Sequence, residues 1–242
     1  MSIEVSEQQG VRYLHFGSHL VQGAMRIARP WSLELAYTRD MMFPLLLRPR
    51  RNWPARVLQV GLGCGSVTKF LHRHRPEARI TVVEILPEVV AAARQFFRLP
   101  EESSRLRIEI ADGHDYLAGT RSRFDLILVD GFDSRGRPGM LDTAPFHLNA
   151  RAHLAAGGMI SINLLAGRQG VAPSVARLRE AFGDRLLVLP PCDAGNTVAL
   201  ASSGPMALPP IEDLLAKASR LKAESGLDLA PTVARLARDA ER

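Results

Sequence analysis

Two acids three residues apart, Asp130 and Asp133, follow the apolar run FDLILV and lie in the glycine-containing segment DGFDSRGRP. Carboxylates this close can hold an ammonium group and take a proton from it. An aspartate that ends a strand and opens a turn is the plainer alternative for either. Upstream, VLQVGLGCGSVTKFLHRH, Val57 to His74, reads as a strand, a glycine turn and a helix, with glycines at 61, 63 and 65. Such a turn lets backbone and a helix N-terminus approach a negatively charged or nucleoside-like ligand. The G-x-G-x-G spacing of Gly61, Gly63 and Gly65 differs from the G-x-G-x-x-G of dinucleotide sites and points to S-adenosylmethionine-type ligands. Glu84 ends ITVVE nineteen positions after Gly65, close to the offset at which a strand-end acid meets ribose hydroxyls. Asp112 ends the next apolar run, where it can accept from an adenine amino group or cap the following helix.

These residues need elements to position them. From Arg56 onward the chain alternates apolar runs (RVLQV, RITVVE, RLRIEIA, FDLILVD, GMISINLL, RLLVLP, TVALAS) with helical segments, among them Pro87 to Phe97, with Val89, Val90, Ala93, Phe96 and Phe97 on one stripe. That rhythm predicts a Rossmann-like α/β fold with a doubly wound, mostly parallel sheet, whose ligands sit beyond the carboxyl ends of the strands. PCDAGN is too short for a crossover, so the last two strands are expected to form an antiparallel hairpin turning at Gly195-Asn196. VRYLHFG, bracketed by Gly10 and Gly17, predicts a small N-terminal β-hairpin. In WSLELAYTRDMMFPLLL, Leu33, Tyr37, Met41 and Leu45 recur every fourth residue, which predicts a helix capped by Ser32 and kinked or ended by Pro44. The expected organisation is an N-terminal hairpin and helix over 1–52, a nucleoside-binding domain over 53–204 and a tail over 205–242 with two amphipathic helices, one presenting Ile211, Leu214, Leu215, Ala218 and Leu221. The tail is expected to pack on the domain or on a partner subunit.

The chain has 242 residues, 46% of them hydrophobic and 23% charged, ordinary for one globular domain with appendages. No run approaches the ~20 apolar residues of a membrane span, and the N-terminus lacks a basic-then-apolar leader, so a cytoplasmic location is expected. Cys64 and Cys192 are the only cysteines; they have neither C-x-x-C spacing nor a histidine cluster, so no disulfide or zinc site is indicated. His72, His74, His147 and His153 fall on expected helices without ligand spacing, and no metal is expected. The net charge of +6 comes from arginines spread over many segments, which reads as solvated surface and not as a nucleic-acid face.

The order of these motifs resembles the spermidine synthase family of aminopropyltransferases. The resemblance rests on the glycine turn, V-E-I at Val83 to Ile85, R-L-x-I-x-x-x-D-G at Arg105 to Gly113, F-D-x-I-x-V-D-x-x-D at Phe124 to Asp133 and G-G-x-x-x-x-N at Gly157 to Asn163. ELAYTRDMM with Tyr37 and VQGAM with Gln22 also resemble family segments that face substrate. The resemblance implies transfer of an aminopropyl group from decarboxylated S-adenosylmethionine to a diamine such as putrescine, in a cytoplasmic homodimer. It implies Asp130 as proton acceptor, Asp133 and Gln22 as acceptor contacts and Tyr37 as the orienting phenol. Glu84, Ile85, Asp112, Gly113 and the turn Gly61-Leu62-Gly63-Cys64-Gly65 would hold the donor. The chain departs from the family pattern at Cys64, where the family carries the aspartate that meets the cationic end of the donor, at Leu86 in place of a second acid, and at Ser134 in place of proline. Cys64 is expected to loosen discrimination against intact S-adenosylmethionine. Methyl transfer to a small molecule and a non-catalytic nucleoside-binding role are the alternatives.

Overall fold

A computed structural model describes residues 3–17, 21–166, 170–192 and 195–240. Three strands open the chain: β1 (Glu4–Gln8), β2 (Val11–His15) and β3 (Val21–Arg26) form an antiparallel sheet in that order. The expected hairpin is therefore a three-stranded meander. Its third strand, VQGAMR, escaped notice because Gly and Ala blur the alternation that marks a strand. Two short helices follow, α1 (Ala36–Asp40) and α2 (Pro44–Leu47). Leu33, Tyr37, Met41 and Leu45 are all buried, yet the helix begins after Leu35 and not at Ser32. An Arg26–Glu34 ion pair, and Arg39 donating to the carbonyls of Leu33 and Glu34, hold the intervening chain in turns and bends short of a helix. Pro44 begins α2, at a position where a missing N–H costs nothing.

The main sheet contains β4 (Arg56–Val60), β5 (Arg79–Glu84), β6 (Leu106–Ile110), β7 (Phe124–Val129), β8 (Leu154–Leu165), β9 (Leu186–Val188) and β10 (Asn196–Ser202). Its order is β6-β5-β4-β7-β8-β10-β9. The first five are parallel neighbours, while β10 runs antiparallel to both β8 and β9. The antiparallel ending thus places the seven-residue, fully buried β10 inside β9. Backbone bonds Cys192 N–H to Asn196 and Gly195 N–H to Cys192 close the expected turn, of which residues 193 and 194 lie outside the described residues.

Alternation along the strands separates two cores. Val57, Ile80, Val82, Leu126, Leu128 and Leu200 face α3 (Ser66–His74), α4 (Pro87–Phe97) and the tail helices α8 (Ile211–Ser225) and α9 (Ala230–Ala240). Leu58, Val60, Ile127, Val129, Ile160 and Ala199 face α5 (Gly113–Gly119), α6 (Ala144–Ala152) and α7 (Ala172–Phe182). A sheet covered on both faces is what near-continuous apolar runs require. On α8, Leu214, Ala218 and Leu221 are buried, whereas Leu215 is exposed. No helix among the described residues is long and apolar enough to cross a membrane.

Candidate active site

The strand order reverses between β4 and β7, and a crevice must open there. Gly61 and Asp130 leave these two strands side by side. A Cβ on Gly61 would stand 2.1 Å from the Asp130 carbonyl oxygen, so only glycine fits. Gly65, at φ +70°, caps α3 and is packed against Leu99; it turns the chain without lining the site. A cavity of about 620 Å³ opens above, lined by Gln22, Tyr37, Gly61, Gly63, Cys64, Glu84, Ile85, Asp112, Gly113, Asp130 and Asp133. The fold therefore gathers every expected site residue except Gly65 around one space.

At one end, Glu84 accepts the Leu62 N–H at 2.9 Å and the Leu86 N–H at 3.0 Å, locking the glycine turn to β5. Burial raises its pKa, and these amide donors oppose the rise. Asp112 uses Oδ1 to accept the His114 and Asp115 amides at 2.8 and 3.2 Å, so it does cap α5, and it also lines the cavity. Asp112, His114 and Asp115 have ligand atoms within 4.8 Å of one another, but Asp112 already spends one oxygen on the cap. Exposed Ile85 and Met140, with Leu141, supply apolar wall. Leu141 wedges between glycines: a Cβ would lie 2.6 Å from it at Gly131 and 3.3 Å at Gly113.

At the floor, Asp130 accepts from Asn163 Nδ2 at 2.8 Å and from the Tyr37 hydroxyl. Burial raises the Asp130 pKa, with the Asn163 and Tyr37 hydrogen bonds pulling the other way. Burial, then the facing Asp130 charge, pushes the Tyr37 phenol well above its ordinary value, so it remains a donor. Asp133 is engaged by Arg137, which lines the same cavity. Its carboxylate accepts the Arg137 and Arg135 amides and pairs with the Arg137 guanidinium at 2.7 Å, contacts that hold its pKa low. The two acids thus differ: Asp130 is partly buried beside neutral donors, and Asp133 is half-exposed and already neutralised.

Cys64 is turned toward β3. Its Sγ lies 3.1 Å from Ser66 Oγ and 3.6 Å from the Ala24 carbonyl, and a Cβ on Gly23 would come within 2.6 Å of it. Both cysteines are free thiols and buried. Asn196 and Arg137 also line the cavity and were not singled out from sequence; a polar residue opening an otherwise apolar strand was the available signal for Asn196.

Strand order, glycine turn and a crevice at the switch point define a Rossmann-like domain of the S-adenosylmethionine-dependent methyltransferase type. The family model for the spermine/spermidine synthase domain matches residues 34–163. A polyamine aminopropyltransferase of Chromobacterium violaceum is 36% identical over 97% of this chain and 88% of the relative. The spermidine synthase structure from Thermotoga maritima superposes with a TM-score of 0.62 at 19% identity, covering 93% of this chain and 88% of that one. Human methyltransferase-like protein 13, in complex with SAH, superposes with a TM-score of 0.70 at 26% identity, over 79% of this chain and 93% of that one. The chain belongs to the spermine/spermidine synthase family and is an aminopropyltransferase-like enzyme.

Proposed function

We propose that this enzyme transfers the aminopropyl group of decarboxylated S-adenosylmethionine to a diamine of the putrescine class, with Asp130 as general base. The observation that carries this is the Tyr37–Asp130–Asn163 cluster at the floor of a cavity whose other end presents Glu84 and Asp112. The amine lone pair attacks the methylene carbon beside the sulfonium, the C–S bond breaks with its electrons going to sulfur, and methylthioadenosine leaves. The nitrogen becomes a secondary ammonium, and Asp130 takes its proton. Burial raises the Asp130 pKa, and a carboxylate with a raised pKa is a stronger proton acceptor. Tyr37 holds the carboxylate in place. Glu84 and Asp112 supply acceptors for the ribose and adenine, and Asp133 offers an acceptor end only if an ammonium displaces Arg137. A homodimer remains part of this reading.

Decarboxylated donor and putrescine are expected to yield spermidine and methylthioadenosine by mass spectrometry, and Asp130→Asn should lower kcat by about 10²–10⁴-fold, the usual weight of a general base. Absence of product with any diamine would overturn the assignment. A second reading, methyl transfer from intact S-adenosylmethionine, draws on the likeness to methyltransferase-like protein 13 and on Cys64, a neutral side chain at the turn. The same assay separates it by product mass. Tight methylthioadenosine binding without turnover of either donor would mark a non-catalytic relative.

A further inference from the structure

Asp130 is joined to a residue on another strand through an amide relay. Asn196, the first residue of β10 and 8% exposed, donates Nδ2 to Asn163 Oδ1 at 3.0 Å; Asn163 in turn donates Nδ2 to Asp130 Oδ1 at 2.8 Å. An ionised carboxylate can only accept, so Asn163 must present its NH₂ group to Asp130. That orientation sends the Asn163 carbonyl oxygen the other way, into buried surroundings that must supply a donor. Asn196 is that donor. Were Asn163 to turn over, its oxygen would face Asp130, and the pair would be tolerable only with the carboxylic acid protonated.

We propose that Asn196 is a positioning residue: by fixing the orientation of the Asn163 amide it keeps Asp130 an ionised acceptor, ready for a proton. This rests on the reading of Asp130 as the general base. The groups facing Asp130 are Tyr37 from α1 and Asn163 from β8. The other titratable groups lining the cavity among the described residues are Cys64, Glu84, Asp112, Asp133 and Arg137, while Cys192, before β10, acts on Tyr37. Among the described residues Asn163 and Tyr37 are the donors to the Asp130 side chain, so the relay governs one of its two side-chain hydrogen bonds.

The test is a ¹³C NMR pH titration of the Asp130 carboxyl in the unliganded protein, its signal assigned by loss in Asp130→Asn. Asn196→Ala should raise the midpoint by about one pH unit, roughly tenfold in proton affinity, and Asn163→Ala by at least as much. Because Asn196 acts through Asn163, the double variant should titrate like Asn163→Ala alone. Asn196→Leu, similar in volume, serves if the alanine variant does not fold. The acidic limb of the kcat/KM profile with decarboxylated donor and putrescine should move the same way. An unchanged midpoint in Asn196→Ala, or a shift that persists undiminished in the Asn163→Ala background, would overturn the proposal. A wild type without turnover overturns the proposed activity instead, leaving the titration to decide the relay.

Discussion

Cys64 illustrates how a side chain can be named from sequence while the direction it takes stays hidden. Its position in the turn was legible because glycine spacing is local, but its direction depends on β3, a strand whose Gly and Ala hide it. The thiol fills the space over Gly23, where an added Cβ would sit 2.6 Å from Sγ. Gly23→Ala should therefore cost about 1–3 kcal/mol, the scale of an overpacked core. Adding Cys64→Ala should return only part of that loss, because the Cβ and backbone N of residue 64, 2.9 and 3.1 Å from the added Cβ, remain; thermal unfolding of the single and double variants measures it. Equal destabilisation in both would mean that the strand and not the thiol sets the requirement. Lys69 raises a different question, since its ammonium is fully buried on α3 with Nζ donating to the Phe97 carbonyl at 2.7 Å. Burial lowers its pKa to about 8, with the Arg98 charge adding to the shift and Cys64 opposing it. The folded pKa lies below the unfolded value, so between pH 8 and about 10.5 the unfolded chain binds more protons and stability rises with pH. Relative to Lys69→Met, the wild type should gain up to about 3 kcal/mol across that window in urea unfolding; a flat difference would refute it. No periodicity rule singles out this lysine, because it falls on the apolar face of a helix whose charged residues otherwise point outward.

The alternation of strands and helices from Arg56 onward was readable because the central parallel strands are near-continuous apolar runs. The segment after β7 was not, since its order comes from side chains that meet only after folding. Asp142, at the end of the 3₁₀ turn Gly139–Asp142, accepts from Ser174 Oγ at 2.6 Å, pairs with Arg177 and lies 3.2 Å from His147 Nε2. It thereby ties α6 and α7 to the turn carrying Met140 and Leu141 over the cavity. Among the described residues the buried His147 Nδ1 has no partner, so the tautomer with its proton on Nε2 is the one that leaves no orphaned donor. Burial would raise the Asp142 pKa, but His147, Arg177 and Ser174 together hold it down at about 2. A depressed carboxylate stabilises the fold above its unfolded pKa and loses that contribution as pH falls toward 2. Asp142→Asn should lower stability at pH 7 by on the order of 2 kcal/mol, with the difference shrinking below pH 4. Denaturant melts at pH 7 and pH 3 decide the matter: a loss of the same size at both would show that the charge is not what matters.

The tail was expected to pack on the domain or on a partner, and its amphipathic faces could not say which. In the structure α9 returns to α1: Thr232 and Arg235 both donate to the buried Asp40 carboxylate. These partners are some 195 residues apart in the chain, too far for any local pattern to pair them. The contact matters because α1 also carries Tyr37, one turn before Asp40, so the C-terminal helix braces the segment that delivers the phenol to Asp130. Removing Arg235 would leave Asp40 buried with Thr232 as its remaining side-chain donor, and broken buried pairs typically cost about 3–5 kcal/mol. Part of that can be recovered by neutralising the acid, so Asp40→Asn combined with Arg235→Met should be less damaging than Arg235→Met alone. Assayed below its melting temperature, Arg235→Met should lower kcat more than it raises the donor KM, because α9 braces α1, whereas the Glu84–Asp112 end of the cavity is built from β5, α5 and the loop after β7. A donor KM that rises in step with the fall in kcat would mean that the tail supports the cavity as a unit and not the Tyr37 helix in particular.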